Sequence, residues 1–296
     1  MDILLDTPLQ STLNHFTIQM SCTNQPQQGE VFSTLLDSWA SSVERLLHAS
    51  ELQSRIAHHP LILIKPNLVN TSAPPVTTPF ELVEEIIIAI KTFHPDSTLC
   101  IGEGTGSIEY DTHHCFSKLG YIEMAQRQNV ELIDLNHATL AHKKNAEFKR
   151  WPEMYLPEIL DNAFIISVPV LKAHSLAGVT LTMKNMMGCV PPTHYQQGGC
   201  WGKSAFHTRI HAAVFELNRY RTPDFTILDA TIGMSESHLW GAHCNPPVGR
   251  LCASYDSVAI DRYGCDLLQK DWQRIGYIQM ANAIVGCAEP LKIHEV

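Results

Sequence analysis

Four residues able to bind an anion or move a proton crowd into one stretch of this chain. Residues 164–192 read FIISVPVLKAHSLAGVTLTMKNMMGCVPP and set Lys172, His174, Lys184 and Asn185 among apolar neighbours. An ammonium taken out of water is costly unless an anion meets it, so lysines in apolar sequence point to a phosphate or carboxylate ligand. Low polarity also depresses a lysine's pKa, which makes Lys184 a usable base or imine former. Lys172 and His174 are two apart and share one side of an extended segment. Imidazole titrates near neutrality, so His174 is the candidate general acid or base. The plain alternatives are lysines that face solvent and a loop histidine bonded to backbone.

Further candidates fall where strands should end. The apolar run 61–64 suits a parallel strand buried on both faces, and Pro66 interrupts its ladder, leaving Lys65 and Asn67 at the sheet rim. In open α/β sheets ligands bind at that rim. A second strand at 98–101 delivers Gly102-Glu103-Gly104-Thr105-Gly106, whose glycines permit close backbone approach to a ligand. Gly104 and Thr105 are therefore candidate substrate contacts. Glu103 either handles protons or caps loop amides. The motif is neither a G-x-G-x-x-G fingerprint nor a P-loop, so it does not by itself indicate a nucleotide. Lys65, Lys172 and Lys184 come from three separate elements and are expected to converge as one anion site, with Asn67 and Asn185 positioning the ligand through their amides.

His207, expected in the first turn of a helix, should reach the same site. Asp229 follows the strand 225–228 and is expected to orient His174 or a lysine, or to hold a divalent ion. Asp256 reads as a helix N-cap and Asp261 as a buried partner of a site lysine. A divalent metal is the candidate cofactor: His207 and His211 stand four apart, and Cys189, His194 and Cys200 offer further ligands, though at no standard zinc spacing.

These residues need a scaffold, and composition sets its bounds. With 296 residues, 45% hydrophobic and 17% charged, the chain can bury a substantial core and is not extensively disordered. A formal charge of −9 argues against general nucleic-acid binding, which needs a basic footprint. The opening MDILLDTPLQ carries acid where a signal peptide carries Lys or Arg, and no apolar run approaches membrane-spanning length. A cytoplasmic protein with no membrane partner, free to form a homo-oligomer, is expected. Nine cysteines without one C-x-x-C pair argue against a disulfide framework and against an iron–sulfur cluster motif in this chain.

The elements read as α/β. A strand is expected at 15–22, an amphipathic helix at 31–47 and a helix from 80 to about 93, started by a Thr78-Pro79-Phe80-Glu81 capping box. Helices at 115–118 and 121–128 and a strand at 130–135 follow. The β-α-β-α-β-α-β order predicts a mostly parallel twisted sheet with helices on both faces, in a single domain over 1–296. Residues 137–160 read as an irregular excursion. After the strand 164–168 a helix is expected over 176–187 with Gly188 as C-cap. The glycine-rich loop 189–204 is the candidate lid. Ser204 should cap the next helix, and strands at 225–228 and 251–255, a helix at 256–268 and another over 271–285 close the chain.

Several segments together resemble one known family. They are LIKPNLV at 63–69, GEGTG at 102–106, VPVLKAHSLAGVTLTMKNMMGCVPP at 168–192, LDATIGM at 228–234 and YDSVAID at 255–261. This set resembles the uncharacterised domain-of-unknown-function family three-six-two, whose members are sometimes fused to ferredoxin-type iron–sulfur modules. The family often has Lys-Thr-His where this chain has Lys172-Ala173-His174, keeping both titratable groups and losing a hydroxyl. The resemblance implies a ferredoxin-type partner on a separate chain, since no C-x-x-C-x-x-C run is present here. Three functional classes therefore stand. The first is a small-molecule enzyme binding a phosphate or carboxylate and performing proton transfer, isomerisation or group transfer. The second is a metal-binding or iron–sulfur-associated redox protein, and the third is a ligand-binding module without turnover.

Overall fold

The computed structural model describes residues 27–296, so the strand expected at 15–22 lies outside the described residues. Twelve strands are described: β1 (Glu30–Leu35), β2 (Leu61–Pro66), β3 (Thr98–Glu103), β4 (Glu131–Asp134), β5 (Leu140–Lys144), β6 (Glu153–Pro157), β7 (Phe164–Val168), β8 (Val170–His174), β9 (Gly178–Thr180), β10 (Phe225–Met234), β11 (Arg250–Ser254) and β12 (Lys292–Glu295). Ten form one sheet along the path β12-β1-β11-β10-β7-β2-β3-β4, with β8 pairing β10 and β9 beside it. Six of the nine pairings in this sheet are parallel, so the fold is α/β with a mostly parallel sheet. β5 and β6 form a separate antiparallel hairpin, which is the excursion expected at 137–160.

The two-residue alternation of each strand explains why both faces are covered. In β2, Ile62 and Ile64 point into one core while Leu63 points into the other; in β7, Phe164, Ile166 and Val168 are separated from Ile165 in the same way. The first core is filled by helices Trp39–Ala49, Phe80–Phe93 and Tyr121–Gln128. The second is filled by helices Ile210–Tyr220, Ser257–Leu267 and Gly276–Ala281 and by the β5–β6 hairpin.

Several expectations are corrected. The stretch 31–47 is not one helix. Val31 and Phe32 enter opposite cores, as neighbours in a strand must, and the helix starts at Trp39 behind Ser38, whose side chain accepts from Ser41 N–H. Residues 31, 32, 35, 36 and 39 fit a helical stripe, but the pairing of β1 with β11 and β12 outweighs that periodicity. The helix expected over 176–187 is mostly strand and turn: β-branched Val179 and Thr180 fold back on β8, and only Thr182–Asn185 is α-helical, continuing as a 3-10 turn at Met186–Cys189 that contains Gly188. Asp261 does not pair with a lysine. Its carboxylate accepts from the N–H groups of Thr182 and Met183, satisfying the start of that short helix. Ser204 opens a separate 3-10 turn, Ser204–His207, and Arg209 at φ 52° precedes the helix Ile210–Tyr220. Over 271–285 the helix is interrupted, with a 3-10 turn at Trp272–Arg274 and a helix at Gly276–Ala281.

Candidate functional site: a cavity above a buried lysine network

A continuous polar network runs beneath the ends of β2, β3 and β7. The Lys65 ammonium is fully buried and donates to Glu103 Oε2 at 2.6 Å, Asn185 Oδ1 at 3.1 Å and the Pro66 carbonyl at 3.1 Å. An ammonium has three N–H bonds, so Lys65 is saturated. Glu103 is equally committed, its other oxygen accepting from the Gly104 N–H at 3.0 Å. Asn185 bridges onward. Its oxygen also accepts from Asn67 Nδ2, and its own amide donates to Ser167 Oγ and the Lys65 carbonyl. Asn67 Oδ1 then accepts from Lys172 Nζ at 2.8 Å, and Lys172 donates again to the Val76 carbonyl at 2.6 Å. Thr78 fixes the near end: its hydroxyl accepts from Asn67 N–H and donates to the Val168 carbonyl. That hydroxyl therefore ties two strand ends instead of capping the helix Phe80–Phe93, which has no side-chain cap.

Two glycines let the backbone close over this network. A Cβ on Gly188 would lie 2.1 Å from Glu103 Oε1 and 2.5 Å from Lys65 Nζ. One on Gly104 would lie 2.2 Å from Asn136 Oδ1 and 2.5 Å from the Gly188 carbonyl. Lys203 clamps the two, donating to the Gly104 and Gly188 carbonyls at 2.7 Å each. The same end of the 189–204 loop is fastened by Gly202 N–H to the Gly106 carbonyl at 2.8 Å.

Above the network lies a cavity of about 350 Å³. Lys172, Lys184 and Lys203 all line it, with Glu103 as the one carboxylate in its wall. Glu103 is ion-paired with Lys65 and is shared at longer range by Lys172 and Lys203, so one wall carboxylate faces more than one ammonium. Lys184 differs from the rest: it is half-buried, lines the cavity and has no hydrogen-bond or ion-pair partner among the described residues. Burial pushes Lys184 down to about 8 and Lys203 down to about 8. Lys172 falls to about 7, from burial first and the Lys184 charge second. Thr180, also in the wall and buried, leaves its hydroxyl without a partner among the described residues.

His174 lines the cavity but does not titrate near neutrality as expected. Its Nδ1 accepts from the N–H groups of Leu176 and Ala177 at 3.0 and 3.2 Å, so the neutral ring carries its proton on Nε2. Burial, then the Lys184 charge and His238, hold the ring far below its ordinary pKa. It is a fixed hydrogen-bond donor. His238 stacks on it with ring centroids 3.9 Å apart and 10° between planes, and burial pushes His238 down to about 3.

The structure brings Asn67, Glu103, Gly104, Lys172, His174, Lys184, Asn185 and His207 to the cavity. It does not bring Lys65, which sits below it with every donor used. Thr105 is turned away, its hydroxyl donating to the Val69 carbonyl. Asp229 lies inside β10, not past a strand end, and its carboxylate is occupied by the N–H and hydroxyl of Thr231. Among the described residues no three His, Cys, Asp or Glu side chains gather as a metal group, so Cys189, His194, Cys200, His207 and His211 do not form one. His194 instead stacks on Tyr155 at 3.9 Å, and His211 lies in the helix Ile210–Tyr220 while His207 ends the preceding 3-10 turn.

Comparison with known proteins places the fold in a family. The model described as Domain of unknown function (DUF362) matches residues 62–266, spanning the segments from LIKPNLV to YDSVAID. The chain belongs to the DUF362 family. Over 224 residues this DUF362 protein is 28% identical to the thylakoid-associated protein sll1697 of Synechocystis sp., covering 71% of this chain and 63% of that one. The lactate racemase apoprotein from Thermoanaerobacterium thermosaccharolyticum aligns with 15% identity and a TM-score of 0.45, over 82% of this chain and 58% of that chain. The chain thus spans less than two thirds of the length of either. No helix among the described residues is long and apolar enough to cross a membrane.

Trp201, Lys203, His238 and Trp240 are among the cavity residues of the DUF362 chain that its sequence does not single out. Lys203 follows a glycine-rich loop, and its partners are backbone carbonyls that no side-chain pattern reveals. His238 and Trp240 sit on the loop between Met234 and His243, which is closed by a bridge between those residues and by Ser235 N–H to the Ala242 carbonyl at 3.0 Å. The SHLW segment at 237–240 was the available signal, a histidine and an aromatic in an otherwise polar connection.

Proposed function

We propose that this chain is an enzyme that binds a small phosphate or carboxylate substrate in the cavity and moves a proton on it. The observation that carries the reading is the half-buried Lys184 ammonium, which lacks a hydrogen-bond or ion-pair partner among the described residues and stands beside the buried Lys172 and Lys203. Such a cluster is costly to fold and is relieved by an anion. Lys172 and Lys203 each donate two hydrogen bonds and keep one N–H. These two N–H groups and the His174 Nε2–H supply donors for substrate oxygens.

In the ligand-free site, burial lowers the Lys184 pKa to about 8, so a minor fraction is free amine at neutral pH. In the proposed step that amine takes a proton from the substrate and becomes an ammonium. The electron pair stays on the substrate, where Lys172, Lys203 and His174 stabilise the developing charge. Return of the proton to another position completes an isomerisation, and return from solvent completes an exchange. Glu103, tied to Lys65 and the Gly104 amide, sets the field of the site and does not carry the proton.

Exchange of substrate hydrogen with D₂O, followed by proton NMR across a panel of small carboxylates and phosphate esters, tests this reading. Wild-type protein is expected to exchange at least one of them and Lys184→Met none. Binding without exchange for every compound that binds would make the chain a ligand-binding module without turnover.

A further inference from the structure

The upper half of the cavity is built from different chemistry than its floor. Val69, Leu176, Met187, Trp201, Leu239 and Trp240 supply an apolar wall. Two of them face solvent with little cover, Leu176 being 58% and Trp240 80% exposed. A single exposed apolar side chain on a protein surface needs no explanation. Here two stand on separate loops, after β8 and after β10, and border one cavity whose floor is cationic. Trp201 is held in place: its ring lies over Gly106, where an added Cβ would be 3.6 Å from Cε3, and the next residue bonds the Gly106 carbonyl.

Size points the same way. A cavity of about 350 Å³ lies within the roughly 300–1,000 Å³ range that takes organic ligands. An inorganic anion on the lysines would leave the tryptophan wall in contact with water alone. Aromatic side chains at the mouth of a pocket gain most from a flat partner that covers them.

Resting on the anion reading above, we propose that the ligand is an organic anion with a flat apolar body. Its phosphate or carboxylate end meets Lys184 and its neighbours, and its body lies against the wall that carries Trp201 and Trp240.

Isothermal titration calorimetry with two matched pairs tests this: phenyl phosphate against methyl phosphate, and benzoate against acetate. In at least one pair the aromatic member is expected to bind about tenfold tighter. The ratio within that pair, not either affinity alone, is the readout for variants. It is expected to collapse towards unity in Trp240→Ala, and Leu176→Ser should reduce it less. Trp240 is so exposed that its removal leaves the cores untouched. Equal affinities within both pairs overturn the proposal while leaving the anion reading in place. A ratio that survives both Trp240→Ala and Trp201→Ala also overturns it. If none of the four compounds binds, the anion reading falls and this inference falls with it.

Discussion

Lys65 and Lys184 belong to one cluster of lysines, the first fully buried and the second half-buried, and are held in opposite ways. Lys65 spends all three N–H bonds on Glu103, Asn185 and a carbonyl, under two glycine backbones. Lys184 spends none on a described residue and opens onto the cavity. The sequence contexts look alike, each a lysine in an apolar run, yet one ammonium is an element of architecture and the other a free charge. The contrast teaches that an apolar sequence context does not separate structural from ligand-directed lysines. Donor accounting does, because a saturated ammonium has nothing left to offer a ligand.

The sharpest way to break the comparison is to remove each member and ask what is lost. Lys65→Met leaves Glu103 as a buried carboxylate with one backbone donor, and is expected to cost about 3–5 kcal/mol of stability. Urea unfolding followed by circular dichroism measures it. Lys184→Met should do the reverse, gaining stability because a half-buried charge without a partner among the described residues disappears, while anion affinity falls by about 1.5–3 kcal/mol. If Lys184→Met destabilised the protein as much as Lys65→Met, the distinction between the two lysines would be lost.

pH sharpens the same contrast. Lys172 is depressed to about 7 and Lys184 and Lys203 to about 8, against an ordinary lysine value of 10.5. The unfolded chain therefore holds protons between about pH 7 and 10.5 that the folded chain has shed, and through these groups stability rises with pH over that window. Anion binding runs the other way, since it needs the ammonium forms. Affinity for sulfate, whose charge is constant here, should drop about tenfold between pH 7 and 9 through Lys184 alone. Calorimetry at both values checks this, and a flat profile would mean that the cavity lysines do not meet the anion.

How much of this could be read from the chain depends on what each residue answers to. The strands β2, β3, β4 and β7 were legible because continuous apolar runs end in Pro, Gly or Asp, a local signal. Their gathering of Asn67, Glu103, Lys172 and Lys184 at one place followed from the rim rule of parallel sheets. The stretch 31–47 was misread because a short apolar run satisfies both the helical and the strand period, and only pairing with β11 and β12 decides. The roles of Lys65 and Glu103 were illegible for another reason. Each is set by side-chain partners far away in sequence, such as the 120 residues between Lys65 and Asn185.

Thr78 is the mildest test and the most diagnostic of that last point. Read locally, it caps the helix Phe80–Phe93, and Thr78→Val would fray one helix end. In the fold its hydroxyl accepts from Asn67 N–H at 2.9 Å and donates to the Val168 carbonyl at 2.7 Å, so the loss falls on the junction that presents Asn67 to Lys172. Valine keeps the shape and strands one buried donor and one acceptor, costing about 1–3 kcal/mol. Thr78→Ser retains both bonds and should cost less than half as much. Hydrogen exchange separates the two readings. In Thr78→Val the amide of Asn67 should lose protection while the first turn after Phe80 keeps its own, and the opposite pattern would return Thr78 to the role of a cap.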